Sequence, residues 1–446
     1  MTDMPDLGGK LGPFLATMVV MGGMIGSGIY MLPASLGTFG SISIIGWALA
    51  AAGATMLGGV FSFLAILRPN SAGLFAYISE SLGPGTGFVV GVLYWASGWV
   101  GTVPIAVAAT GYLSFFFPQI ANAPGSTLAT LGLLWLSVVA NIIGPKLVAR
   151  IGGWTLTFGL APVLLVSVAG WFYFHPSIFM ASWNVTHASV WSVAPSTAVI
   201  VFMGFLGIEF ASIIVPLVKN PARNVPIATL GGLACAAIIY LASGAVIMGI
   251  LPAAVLAKSS APFAVAAAPI LGSVVAGAVA FCAMFKSSGT VGVSVLVAAE
   301  TARSDAVLGH ILPHKINKPA AKASATNLIF LGAIMSVVTV ASTSASLGRQ
   351  FAILANVTVV LSMAVYATTS LVLLRISGEV TGAKRHFIRA CAVGAGLFSC
   401  GMIVVSEADL LIWSGLALVF ALIAYWAFRL RPSRRMVSTS GAAGGG

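Results

Sequence analysis

Long apolar runs alternate with short polar segments along almost the whole chain. A helix needs ~20 apolar residues to cross the hydrocarbon of a bilayer. On that ruler the sequence predicts twelve spans, at about 11–36, 41–66, 85–116, 126–144, 151–174, 192–217, 227–250, 271–299, 323–343, 350–374, 387–406 and 408–429. Two of these runs are interrupted. In span 1, Met21 to Tyr30 reads MGGMIGSGIY, with four glycines in seven residues. Glycine loses the most backbone entropy on ordering, so this stretch predicts a break in the helix. In hydrocarbon, freed N–H and C=O groups survive only where the broken backbone is buried in protein or lines a cavity. In span 6, Met203 to Glu209 reads MGFLGIE and predicts a second break, at a similar depth. A half-helix N-terminus at such a break suits an anionic group such as a carboxylate. The alternative for the first break is close helix packing through Gly22 and Gly26.

Composition agrees with the pattern. Of 446 residues, 59% are hydrophobic and 7% charged, whereas soluble domains carry roughly 25% charged residues. The reading is an all-α integral membrane protein with no cleavable signal peptide. The net charge of +12 would suggest nucleic acid in a soluble protein, but placement assigns it to topology. Eighteen of the 21 Lys and Arg residues fall on the side of the termini, among them Lys10, Arg68, Lys219 and Arg375, and only Lys258 and Arg349 fall on the other. Positive residues stay cytoplasmic, so both termini are expected in the cytoplasm and the protein in the inner (cytoplasmic) membrane. No nucleic-acid partner is implied. Residues 1–10 read as a cytoplasmic N-terminus, 11–430 as one transporter domain and 431–446 as a cytoplasmic tail.

Subtracting both faces leaves one base and one acid at membrane depth, Lys286 in span 8 and Glu209 in span 6. Charge at the bilayer centre costs at least a few kcal/mol, which marks both as functional candidates. Withdrawal from water disfavours the charged form of a carboxyl, so Glu209 is a candidate protonatable switch; the alternative is an acid that only braces the broken helix. Lys286 has several readings: a resident cation in place of a coupling ion, a counter-charge for an acidic substrate group, a partner of Glu209, or a lysine snorkelling away from the path. Ser294 lies eight residues on and shares a helix face with it.

The four cysteines, Cys235, Cys282, Cys391 and Cys400, read as small core residues rather than disulfides or metal ligands. Val218 to Pro226 reads as a structured loop that reverses the chain, and residues 72–80 as an amphipathic segment at the inner interface. Trp171 to Phe174 read as part of an interfacial belt. The five histidines show no metal-ligand spacing, and no cofactor is implied.

Three motifs carry a resemblance to a known family: GSGIYMLPA at 26–34, Gly207-Ile208-Glu209, and VKNPARNVPIAT at 218–229. The chain resembles the amino acid–polyamine–organocation (APC) transporters over nearly its whole length, most of all the basic amino acid/polyamine antiporters. The resemblance implies a LeuT-like 5+5 inverted repeat: one repeat at about 11–174, a second at about 192–376, and two further helices at 387–429. It also implies alternating access around a central site. Gly26, Ser27 and Gly28 then take the substrate carboxylate, and the span 6 break, with Met203, Gly204 and Leu206, takes the amino group. Glu209 matches a proton-linked acid, Tyr94 a pH-linked tyrosine, Tyr366 a gating tyrosine, Ser97 a small cavity-lining residue and Thr358 a substrate-facing serine. Three positions depart from the family pattern. Met203 replaces a gating tryptophan and removes a cation–π platform for a guanidinium, Ser294 replaces a second tryptophan, and Thr102 replaces an asparagine. Lys286 has no counterpart in the arginine/agmatine antiporter.

The function expected is therefore a secondary amino acid transporter, an amino acid/amine antiporter with a small-molecule substrate, and not an enzyme. The runner-up is proton-coupled symport of a neutral amino acid; a channel and an intramembrane enzyme are rivals from other classes. A homodimer is compatible with this reading.

Overall fold

A computed structural model of the chain describes residues 10–68, 74–213, 215–303 and 324–407, with separate positions between 411 and 426. Among the described residues it is all helix apart from one isolated bridge between Leu11 and Val218. The elements in order are α1 Pro13–Met24, α2 Leu32–Gly37, α3 Ser43–Leu67, α4 Leu74–Leu82, α5 Pro84–Ser114, α6 Gly125–Ile143, α7 Pro145–Ala169 and α8 Pro176–Ala181. There follow α9 Val190–Phe202, α10 Phe210–Ile213, α11 Pro221–Ile250, α12 Ala253–Leu256, α13 Pro262–Arg303, α14 Ala325–Ala341, α15 Leu347–Ile376 and α16 Ala383–Val405.

Among the described residues eight helices are long and apolar enough to span a membrane, and the bent pair at the start of the chain makes up to nine. Two shorter apolar helices, Val190–Phe205 and Ala325–Ala341, stand where spans 6 and 9 were predicted. Predicted span 12 lies in large part outside the described residues, as do the tail, residues 1–9 and the basic segment containing Lys315, Lys318 and Lys322. The chain is a multi-pass membrane protein.

Burial sorts the helices into layers. In α5, 78% of the central window is inside the protein, against 28% in α6 and in α16. So α5 is the mast of the bundle, packed against α13 and α15, while α6 and α16 lie at its edge. The outward faces are apolar, with Phe172, Trp191, Val274 and Val404 almost fully exposed, as a lipid-facing surface requires. Trp171 and Tyr173 are also exposed at the end of the fifth span, the position expected of an interfacial belt.

Two expectations need correction. The segment after span 6 is largely helix, because α11 begins at Pro221. A proline fits the first helical turn, where its missing N–H has no partner to lose; Asn220 turns the chain with φ +46°, and its neighbour Pro221 opens the helix. The cysteines are all free, but two are not core residues: Cys235 and Cys400 are exposed on α11 and α16, whereas Cys282 and Cys391 are half-buried and Cys391 packs against the core. Apolar surroundings in a membrane protein include lipid, so hydropathy alone cannot separate core from rim. The amphipathic segment is helical from Leu74 and buries Leu74, Tyr77 and Ile78; its first two residues lie outside the described residues.

Candidate substrate site between two broken helices

The first break divides span 1 into α1, a turn at Ser27–Tyr30 and α2, bent by 52°. α1 closes at Ile25, and Gly26 is extended, with φ −80° and ψ −167°. A new helical turn then starts at Ser27, and the first N–H groups of any such turn have no partner within it. An added Cβ at Gly26 would find only Met24 O, at 3.9 Å. Gly26 therefore borders open space and is not a packing contact. The Ser27 side chain lies outside the described residues.

The second break runs from a turn at Met203–Phe205, through extended Leu206, to Gly207 with φ +101°. An added Cβ at Gly207 would lie 2.7 Å from Gly23 O, and one at Gly23 would lie 2.8 Å from Phe210 Cδ2. Both the left-handed conformation and the contact with α1 require glycine at 207. The glycines that bring the helices together are thus Gly23 and Gly207 rather than the Gly22 and Gly26 pair. The breaks face one another, since an added Cβ at Gly28 would lie 3.5 Å from Met203 Cγ.

Glu209 sits at the second break and is 7% exposed. Its Oε1 accepts from Tyr94 Oη at 3.3 Å, and its Oε2 accepts from Tyr366 Oη at 2.5 Å and from the Gly207 N–H at 3.1 Å. Three donors on one buried carboxylate satisfy it strongly. They also tie α5 and α15 to the second break. Tyr240 of α11 completes the frame, and sequence reasoning missed it. Its hydroxyl lies 2.9 Å from Met24 O and 2.9 Å from Gly204 O, one carbonyl from each break. Removing the faces from the list of tyrosines, as was done for the charges, would have left Tyr240 as a polar group deep in an apolar run.

Between the breaks lies a cavity of about 460 Å³. Its wall includes Gly26, Gly28, Tyr94, Ser97, Met203, Leu206, Glu209, Lys286, Ser294 and Thr358. Three predicted site residues lie behind the wall. Thr102 is fully buried, with Oγ1 donating to Gly98 O at 2.9 Å, and the neighbouring Gly101 reaches the cavity instead. Gly204 turns its carbonyl to Tyr240, and Tyr366 donates to Glu209 from behind the wall. Trp95 at the wall was not foreseen.

Lys286 is 6% exposed and borders the cavity, so it does not snorkel away from it. It forms no ion pair with Glu209, which removes that reading too.

The cavity extends along α7 to Ala149 and along α13 to Thr301, toward the end of the bundle where α1 and α7 begin. The opposite end is closed. Tyr30 packs edge-on against Tyr112 and Phe263, each at 5.6 Å between ring centres, and its hydroxyl donates to Gly159 O. Tyr112 Oη donates to Tyr30 O at 2.9 Å, and Ser35 Oγ to Gly348 O at 3.0 Å.

A chamber bounded by two interrupted membrane helices, with one acid and one lysine in a largely apolar described wall, is the arrangement of a membrane transport protein. The model of the amino acid permease family matches residues 11–439, and the chain belongs to that family, within the APC superfamily. The cadaverine/lysine antiporter of Escherichia coli K12 is 32% identical over 376 residues, covering 83% of this chain and 84% of that one. The putrescine transporter PotE of the same strain is 31% identical over 392 residues, covering 87% and 89%. PotE of Haemophilus influenzae is 32% identical over 358 residues, covering 80% and 82%.

Proposed function

We propose that the protein is a secondary amino acid/amine antiporter working by alternating access. The observation that carries this is the pair of facing breaks at one chamber with a single sealed end. The N–H groups that open the turn at Ser27 and Gly28 receive the carboxylate of the substrate, beside Gly26, whose own N–H is turned to Met24 O. The second break, at Met203 and Leu206, receives its amino group, with Ser97, Ser294 and Thr358 shaping the space. Glu209 exchanges its proton as the helices around it move, with Tyr94 and Tyr366 following its charge. The relatives support exchange, since two of them are named for the movement of amines and one for exchange of an amine with an amino acid. They do not favour the runner-up, proton-coupled symport of a neutral amino acid.

The finer architecture belongs to the same proposal. It comprises twelve spans in a 5+5 inverted repeat, at 11–174 and 192–376, with two helices beyond it. Both termini lie in the cytoplasm, which makes the state seen here open to the inside and closed by Tyr30 to the outside. The two breaks, five spans apart, support the repeat, because a unit with an odd number of spans must insert its second copy inverted. A homodimer is part of the proposal, and single-molecule photobleaching in bilayers tests it.

Counterflow in proteoliposomes tests the function. Vesicles loaded with unlabelled substrate should accumulate labelled amino acid faster than empty ones, and uptake should saturate. Uptake that is indifferent to the internal load would overturn exchange.

A further inference from the structure

Lys286 is the one positively charged side chain on the described wall of the cavity, and Glu209 is the one acid there. Their situations differ. Both Glu209 oxygens are engaged by donors of the protein itself. Lys286 Nζ has neither a hydrogen-bond acceptor nor a carboxylate partner among the described residues. The stem of Lys286 is also fixed. An added Cβ at Gly159 of α7 would lie 2.4 Å from Lys286 Cγ, 2.7 Å from Cβ and 2.8 Å from Cδ. Only a glycine opposite leaves the lysine its place. The turns that follow, Thr290, Val293, Ser294, Val297 and Thr301, continue the same face of α13 along the cavity. Lys286 thus stands on the wall the substrate passes.

A buried ammonium without a counter-ion is costly, and an anion brought to it recovers that cost. The free N–H groups of the first break already answer one carboxylate. Glu209 has three of its roughly four lone-pair sites taken by donors of the protein, so it has less left for a ligand cation than Lys286 has for an anion.

We propose that Lys286 sets the substrate class: it is the counter-charge for a second anionic group, so the antiporter takes an amino acid with an acidic side chain and rejects diamines. The amine exchanged for it is one that keeps a carboxylate, which is what decarboxylation of a dicarboxylic amino acid leaves. This rests on the antiporter reading above and narrows its substrate. Met203 fits the same picture, because a thioether offers a dication no aromatic face to sit on.

The test is counterflow with purified protein in proteoliposomes, using labelled glutamate, aspartate, alanine, putrescine and cadaverine. Wild type is expected to exchange glutamate or aspartate at least about tenfold faster than either diamine, a lower bound for one close unit charge, whose effect grows as the site is withdrawn from water. Lys286→Met should lower the ratio of acidic to neutral exchange about tenfold, and Lys286→Arg should keep the order of substrates. Should Lys286→Met not fold, thermal stabilisation of the wild type decides, with glutamate or aspartate raising Tm and cadaverine leaving it unchanged. A wild type that prefers diamines, one that moves alanine but no acidic amino acid, or a Lys286→Met variant with an unaltered acidic-to-neutral ratio would each overturn the role of Lys286 while leaving the antiporter standing. Failure of every amino acid to exchange would overturn both.

Discussion

At the first break the chain runs out of side chains. Gly26 and Gly28 border the cavity with backbone alone, and nothing presses on Gly26 within 3.9 Å. At the second break the left-handed glycine and the acid are both held. Gly207 is clamped 2.7 Å from Gly23 O as seen from its missing Cβ, and Glu209 is gripped by two hydroxyls and an N–H. Both are interruptions of an apolar helix near mid-membrane, and on sequence both look like a run of glycines. The difference separates two tasks. In the reading proposed above, the first break offers peptide groups to the substrate carboxylate and is built largely from absence. The second, which in the same reading also takes the amino group at Met203 and Leu206, holds one ionisable group in a fixed setting and is built largely from contacts.

Substitutions sharpen this contrast if loss of folded stability and loss of transport are measured side by side. Gly207→Ala should be the most damaging. It forces a left-handed conformation costing about 1–2 kcal/mol and adds an overpacking cost of about 1–3 kcal/mol against α1. We expect a Tm in detergent many degrees lower and no measurable exchange. Glu209→Gln should come next, since three buried donors lose a charged acceptor, worth about 1.5–3 kcal/mol. Its signature is kinetic as well: the pH dependence of exchange should flatten, because an amide takes up no proton. A variant that keeps the wild-type pH profile would remove Glu209 from the proton role. Tyr240→Phe should cost about 1–3 kcal/mol by taking the hydroxyl away from Gly204 O and leaving Met24 O with the Gly26 N–H alone. It should raise KM as well, because both breaks lose a shared brace. Gly26→Ala should change stability least, within about 0.5 kcal/mol, yet raise KM several-fold by placing a methyl group in the binding space. If Gly26→Ala unfolds the protein while Gly207→Ala is tolerated, the division of labour drawn here is wrong.

Much of the bundle was legible because hydrocarbon is an unforgiving solvent. Unbroken apolar runs of the right length became helices, and the two glycine-rich interruptions became breaks. Subtracting the charges of each face found Glu209 and Lys286, and both border the cavity. What escaped depends on three-dimensional direction. Thr102 and Gly101 are neighbours on α5, and no periodicity says which of them meets the chamber. Tyr240 lies far from both breaks along the chain and reaches them only through the packing of α11. The cysteines show the same limit in reverse, since lipid and protein core select alike for apolar residues. Pro221 was read as a loop residue, because proline interrupts the middle of a helix but suits its first turn.

The small bridge between Leu11 and Val218 gains meaning beside these breaks. The Leu11 N–H donates to Leu217 O at 2.7 Å, and the Lys219 N–H to Leu11 O at 2.9 Å. This stitch joins the outset of the first membrane rod to the chain just past the second interrupted one. A tether of two backbone hydrogen bonds fixes the spacing of these two chain segments at that end of the bundle.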